Sequence, residues 1–240
     1  MKNIIFFLLS IVFPRTCSCC GTTLPFNGKE NICKACFEGF AKNEGLICKK
    51  CSVPLEDGGA HCYDCKDNKN IYFEVLKSPY VYKDKIKKVI KKFKYSNRTF
   101  LSADLAHPMS DLITKEIWCK DIDLIIPVPL HFFRRFKRGY NQSFLLAKHI
   151  GESLNKPVYK NFLLRKKNTI PQFVLGREER ERNLESNFVL NKKYTAAVRG
   201  KNILLVDDIA TTCITVNQCS KVLRKSKAKR IFVVTIARAK

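Results

Sequence analysis

The chain has 240 residues, 45% of them hydrophobic, which is enough to bury a core and excludes wholesale disorder. Its 45 Lys+Arg against 21 Asp+Glu give a formal charge of +24, which favours polyanionic partners: nucleic acid, phosphorylated small molecules or an anionic membrane face. The excess lies beyond residue 70, where the net charge is +22 against +2 before it, although lysine-rich solvated faces account for such an excess as readily as a ligand does.

In chain order, Ile4 to Phe13 is an apolar run broken only by Ser10. It is too short to span a bilayer. The following Phe13-Pro14-Arg15-Thr16 lacks the small-x-small pattern of a signal-peptide cleavage site. Residues 1–16 are therefore expected to form a leading apolar helix stopped by Pro14, on a protein not integral to the membrane.

Nine of the twelve cysteines lie within residues 17–65. They read as four Cys-x-x-Cys pairs: Cys17/Cys20, Cys33/Cys36, Cys48/Cys51 and Cys62/Cys65. Each pair sets two sulfurs on one tight turn, and two pairs complete a closed four-cysteine zinc site. A disulfide across two residues would be strained and redox-active, so four in tandem argue for metal. Residues 17–70 are thus expected to form a double zinc-ribbon module holding two structural Zn2+, in a reducing cytoplasm. Neighbouring or interleaved pairs fit equally. Cys19 is a spare thiol, and His61 is a loop histidine or a replacement ligand. Eight thiolates and two Zn2+ would bring the module from +2 to about −2, too acidic for a finger gripping DNA phosphates.

From residue 71 the period changes, opening a domain over 71–240. Ile71–Val75 and Ser78–Tyr82 read as strands. Ile86, Val89, Ile90 and Phe93 mark one face of a helix, whose other face carries Lys85, Lys87, Lys88, Lys91 and Lys92. That lysine face is solvated or turned to nucleic acid. Asp104–Trp118 is predicted helical, Leu124–Val128 a buried strand, Phe144–Leu154 a helix, Ile203–Val206 a strand, Val216–Arg224 a helix and Ile231–Ile236 a strand. The alternation predicts an α/β fold with a parallel sheet and flanking helices. Arg165 to Asn183 is polar, with Arg165, Lys166, Lys167, Arg177, Arg180 and Arg182 among its residues. It reads as a basic lid or as a mobile surface loop.

The sharpest constellation runs from Ile203 to Thr215. A buried strand is expected to end in Asp207 and Asp208, and a hydroxyl-rich turn then opens a helix. Helix N-termini present free N–H groups to phosphate, and Thr211, Thr212 and Thr215 add hydroxyl donors. Two carboxylates beside that cradle accept hydrogen bonds from a vicinal diol or hold Mg2+ through water. Phosphate and diol together describe a ribose 5-phosphate.

Val206 to Thr215 resembles the phosphoribosyl-pyrophosphate (PRPP) signature of type I phosphoribosyltransferases. The wider resemblance is to the ComF family, which is associated with competence for DNA uptake. It is carried by Ile126-Pro127-Val128-Pro129-Leu130-His131, Arg138-Gly139-Tyr140-Asn141-Gln142, Gln172, Arg182-Asn183-Leu184, Ile236-Ala237-Arg238 and the paired cysteines. The resemblance implies a type I phosphoribosyltransferase-like domain with a flexible hood over Arg165 to Asn183. It makes Asp207 and Asp208 the catalytic pair at the ribose hydroxyls. Ala210, Thr211, Thr212, Cys213, Ile214 and Thr215 become the 5-phosphate cradle. Pro127, Val128, Pro129, Leu130 and His131 become the pyrophosphate loop, with Arg134 and Arg138 as nearby donors. Lys94-Tyr95 also fits the family pattern without an assigned role. The implied activity is displacement of pyrophosphate from ribose C1 by a nitrogen nucleophile, with Mg2+ on the pyrophosphate. Implied partners are PRPP, single-stranded DNA and competence-machinery proteins. A non-catalytic PRPP sensor and a single-stranded-DNA-binding accessory protein are the alternative readings. The family's loop has Gly where Cys213 stands, so its Cβ is expected to crowd the phosphate.

Overall fold

The computed structural model describes residues 14–56, 58–130, 136, 138–165 and 187–240. The leading helix expected over residues 1–16 falls almost wholly outside them. So do His131, Arg134 and nearly all of the hood segment.

The sheet is built on two long strands. Strands β1 (Val75–Lys77), β2 (Tyr80–Val81), β3 (Leu124–Pro127), β6 (Asn202–Ala210) and β7 (Arg230–Arg238) form it, in the order β1-β7-β6-β3, with β2 also on β7. All four pairings are parallel. The strands are apolar runs because both faces are covered. Leu204, Val206, Phe232 and Val234 face one core with helices α2 (Asp84–Tyr95), α3 (Leu101–Thr114) and α4 (Gln142–Leu154). Ile203, Leu205, Ile231 and Val233 face the other, with Val216, Cys219 and Leu223 of helix α5 (Ile214–Lys225). The alternation at successive residues is the period of two that a strand imposes.

Several boundaries differ from expectation. Helix α3 begins at Leu101 because Leu101, Ser102 and Leu105 are buried, and extended backbone at Glu116 divides it from a 3-10 turn over Ile117–Asp121. The first two strands are shorter than expected and shifted, set by pairing with β7. Strand β6 does not end at Val206. Its ladder continues through Ile209↔Ala237 and Ala210↔Arg238, so both aspartates lie within the strand. A short antiparallel pair, β4 (Leu163–Arg165) and β5 (Phe188–Leu190), had no signal in the apolar pattern.

The cysteine module, which includes helix α1 (Lys34–Glu38), packs along one edge and the helical face of the sheet. Backbone bonds join Val81 N to Ala41 O and Asn43 N to Pro79 O, both at 2.9 Å. Phe37, Phe40 and Tyr80 form an aromatic cluster at the junction. Lys92 Nζ donates to Ser18 O at 2.8 Å, so one lysine of the α2 face docks the module.

Candidate functional site

The cysteine pairs group in chain order. Cys17, Cys20, Cys33 and Cys36 form one cluster and Cys48, Cys51, Cys62 and Cys65 another, each with its sulfurs within 4.8 Å of one another. Neither cluster includes Cys19 or His61. The Cys20–Cys33 and Cys51–Cys62 sulfurs stand 3.8 and 3.7 Å apart. A tetrahedron with Zn–S bonds of about 2.3 Å has edges of about 3.8 Å, so the donors fit zinc. All twelve cysteines are free thiols. Burial first, and then neighbouring sulfurs, push the Cys36 and Cys62 thiols up, Cys62 to about 11. Four thiolates share such a site only around a cation.

The second site lies at the carboxyl ends of β3 and β6, where parallel α/β sheets bind ligands. Val128 N donates to Val206 O at 2.9 Å, holding the two strand ends side by side. Val128, Pro129, Leu130, Arg138, Asp207, Asp208, Thr211 and Thr215 together line a cleft of about 340 Å³. Pro127 is the last residue of β3, just behind it. Residues Ile209 to Val216, with Asp207, curl around a smaller hollow of about 30 Å³ that includes Ala210, Thr212, Cys213 and Ile214.

The two carboxylates have different surroundings. Ser143 Oγ donates to Asp207 Oδ1 at 2.9 Å, and Asp208 N donates to the same oxygen at 2.8 Å. Burial, and then the charge of Asp208, nevertheless push the Asp207 carboxyl up to about 7. Asp208 pairs with Lys94 Nζ at 2.9 Å, with side chains 13% and 17% exposed.

The motif Arg138 to Gln142 builds the facing wall. Gly139, at φ +78°, makes the left-handed turn that L side chains avoid. Tyr140 Oη donates to Phe93 O. Asn141 caps α4 by accepting from Ser143 N, and its Nδ2 donates to Val128 O at 3.1 Å. Arg138 stacks 4.6 Å from the Tyr95 ring centroid and donates to Tyr95 Oη and Gln142 Oε1. Gln142 lines the cleft and is 1% exposed, and its Nε2 has no hydrogen-bond partner among the described residues.

Sequence reading gave no role to Lys94, Tyr82 or Ser143 in the cleft's lining, whereas Arg165, read as the first residue of the hood, also lines it. Lys94 carried a signal. It falls four residues after Ile90, on the buried side of α2, where a lysine needs a partner. Cys213 also differs from expectation. It adopts the left-handed conformation (φ 59°, ψ 1°) that the family's glycine would supply. It lines a hollow shared with Cys51 and Cys65 of the second cysteine cluster.

These features define a class: a double zinc ribbon joined to a parallel α/β domain with an acidic, loop-capped cleft at its strand ends. A family model described as the double zinc ribbon domain matches residues 8–66. Competence protein F of Haemophilus influenzae is 29% identical over 214 residues, covering 88% of this chain and 92% of its own length. Competence protein ComFC of Bacillus subtilis is 27% identical, covering 88% and 85%. DNA utilization protein YhgH of Escherichia coli K12 is 26% identical, covering 95% and 99%. Over most of its length the chain is thus similar to bacterial competence and DNA-utilization proteins, and over residues 8–66 to the double zinc ribbon. Among solved structures, the glutamine PRPP amidotransferase of B. subtilis is similar over 60% of this chain and 30% of its own, with a TM-score of 0.41 and 18% identity. Among the described residues, no helix is long and apolar enough to cross a membrane.

Proposed function

We propose that the cleft binds PRPP and that the protein transfers phosphoribosyl groups to a nitrogen acceptor. The observation that carries the reading is a carboxylate pair beside a helix-opening loop, in a cleft lined by Lys94, Arg138 and Arg165. Asp207 and Asp208 accept hydrogen bonds from the ribose diol. The amides and hydroxyls of residues 211–215 hold the 5-phosphate, as helix N-termini hold anions. Lys94, Arg138 and Gln142 Nε2 face the pyrophosphate. Mg2+, when bound, supplies further charge for that leaving group. In the transfer, the C1–O bond breaks with its electron pair going to pyrophosphate. The acceptor nitrogen forms the new C1–N bond and releases its proton to water. The protein's part is fixed charge rather than proton transfer. Incubation with PRPP, Mg2+ and a panel of nitrogen bases should release pyrophosphate with one of them. Release with none, despite binding, favours the sensor reading.

A second reading has its own observation. Lys85, Lys87, Lys88 and Lys91 are exposed on α2, and Tyr95 and Phe100 beyond them are 67% and 48% exposed. Cations with neighbouring aromatic faces suit single-stranded nucleic acid, and the name of the DNA-utilization relatives points to DNA. Binding to a fluorescent oligonucleotide should weaken steeply with salt and be lost on charge reversal at Lys88 and Lys91. Binding that survives those changes excludes α2 as the contact. Zinc-bound thiols and a phosphorylated substrate fit a cytoplasmic protein that serves the competence machinery.

A further inference from the structure

Arg238 closes β7 and is 6% exposed. Its guanidinium carries five N–H donors and a permanent charge. Nε donates to Cys51 O at 2.9 Å. Nη1 donates to Ala210 O at 3.1 Å, to Thr211 O and to Ala239 O at 2.7 Å, and Nη2 reaches Cys51 Sγ at 3.7 Å. These partners are carbonyl oxygens and one sulfur. Carbonyls satisfy the donors but do not neutralise a buried charge, which is costly without a counter-ion. Four thiolates around one Zn2+ carry a net charge of about −2, and one of those sulfurs is the atom Arg238 touches.

The same group therefore grips the second cysteine cluster on one side and the first residues of the phosphate loop on the other. Cys213, from inside the loop, lines the same hollow as Cys51, Cys65 and Arg238. The Cys48–Cys51 turn is itself fixed to the sheet: Leu76 N donates to Lys50 O at 2.8 Å, and Ser52 Oγ to Leu76 O at 2.5 Å. The first cluster docks elsewhere. Ser18 meets Lys92 and Arg98, and Asn31 meets Asp104, all on α2, α3 or the turn between them.

We infer that the second zinc centre is the rear support of the phosphate loop, and that Arg238 is the positioning residue joining them. Through it, the charge and rigidity of the cluster hold the Ala210 and Thr211 carbonyls. Those carbonyls in turn fix the direction of the amides that follow them. The first zinc centre holds the module to the helices and has no part in the loop. The inference deepens the reading of the cleft as a phosphate site, but its test needs no ligand, so the two can fail separately.

The test is amide hydrogen exchange by mass spectrometry on the full, zinc-loaded chain. Cys65→Ser (second cluster), Arg238→Lys and Cys20→Ser (first cluster) are compared with the wild type. Exchange over residues 210–216 should rise about tenfold or more in Cys65→Ser and Arg238→Lys, and stay within about twofold in Cys20→Ser. Residues 203–206 should remain protected throughout, reporting an intact sheet. If a variant loses that protection, chelating the zinc that remains in the Cys20→Ser protein makes the same comparison without disturbing the second cluster's ligands. Cobalt loaded into the second cluster gives a separate signature. Arg238→Lys should shift its sulfur-to-metal absorption band, because the Nη2 contact to Cys51 Sγ is lost, whereas an arginine with only a packing role would leave the band unmoved. Unchanged loop exchange after loss of the second zinc, equal acceleration in Cys20→Ser, or an unmoved cobalt band would overturn the assignment.

Discussion

In the sheet, Ile203 to Val206 and Ile231 to Val234 are completely buried, and two apolar cores sandwich them. In the cysteine module the buried residues include Cys17, Cys36, Cys48 and Cys51, with Leu24, Ile32 and Phe40 as the larger apolar ones. Apolar burial at roughly 25 cal/mol per Å² sustains the first region without help. A segment of about fifty residues with so few apolar side chains gains little from a core of its own, and a structural metal is one of the staples such small modules use. The two regions share one chain but owe their order to different interactions, and Arg238 is one of the places where they meet.

The largest effect that sharpens this contrast is metal removal. The protein should hold about two zinc equivalents, four thiols to each, and structural zinc contributes on the order of 10 kcal/mol to small modules. A strong chelator should abolish amide protection across residues 17–66 while the strands keep theirs. Simultaneous loss of both would break the comparison, because the sheet would then depend on metal as well.

Next in size is the buried pair at the cleft. Lys94→Ala leaves Asp208 without its partner and removes a cation facing the ligand. PRPP affinity should fall by about 10- to 100-fold, the scale for a truncated, partly buried charge pair, with chelator sensitivity unchanged. Calorimetry on both proteins measures it.

A smaller effect follows from Asp207. Its carboxyl lies well above the usual 3.8, at about 7, so the folded state holds its proton more tightly than the unfolded chain does. Folding stability from this group therefore declines as pH rises between about 4 and 7. Asp207→Asn should raise the apo melting temperature at pH 8 by roughly 2–4 °C and leave it nearly unchanged at pH 4. Affinity of the wild type for a ribose diol should rise over the same interval, as the carboxylate forms. Thermal scans at the two pH values read the first effect, and titrations across the interval read the second.

The smallest effect is expected at Cys213. Its backbone is already left-handed and it lines the hollow beside the second cysteine cluster, so Cys213→Gly relieves roughly 1 kcal/mol of conformational cost while losing side-chain packing there. Phosphate affinity should change by less than about twofold in calorimetric titration, on the scale of this offset. A large gain would mean that the side chain does crowd the ligand.

Much of this was legible in the sequence, for physical reasons. Cys-x-x-Cys spacing is a local property of a turn, so the ligand sets were readable, while their pairing depends on how turns meet in space. The apolar runs at Leu124 and Ile203 had to be buried on both faces, which gave the parallel sheet. The continuation of β6 through two aspartates was not legible, because a strand with charged side chains reads as a loop unless its neighbour is known. Ser143 and Lys94 reach the carboxylates from separate helices, and no spacing rule connects positions 64 and 114 residues from Asp207 and Asp208. Arg238 stood within a motif already noticed, but its role exists only where β7 passes between the Cys51 turn and the phosphate loop.

PRPP binding in the Asp207–Asp208 cleft, as proposed, can be measured in isolation. Calorimetric titration of the zinc-loaded chain with PRPP and Mg2+ at pH 8, beside the Asp207→Asn/Asp208→Asn double variant, tests it most directly. The wild type should bind one ligand per chain saturably. Affinity should be lower by about 100-fold or more in the double variant, the scale of losing two charge-assisted contacts. Absence of binding to the wild type, or equal binding by both proteins, would contradict the proposal.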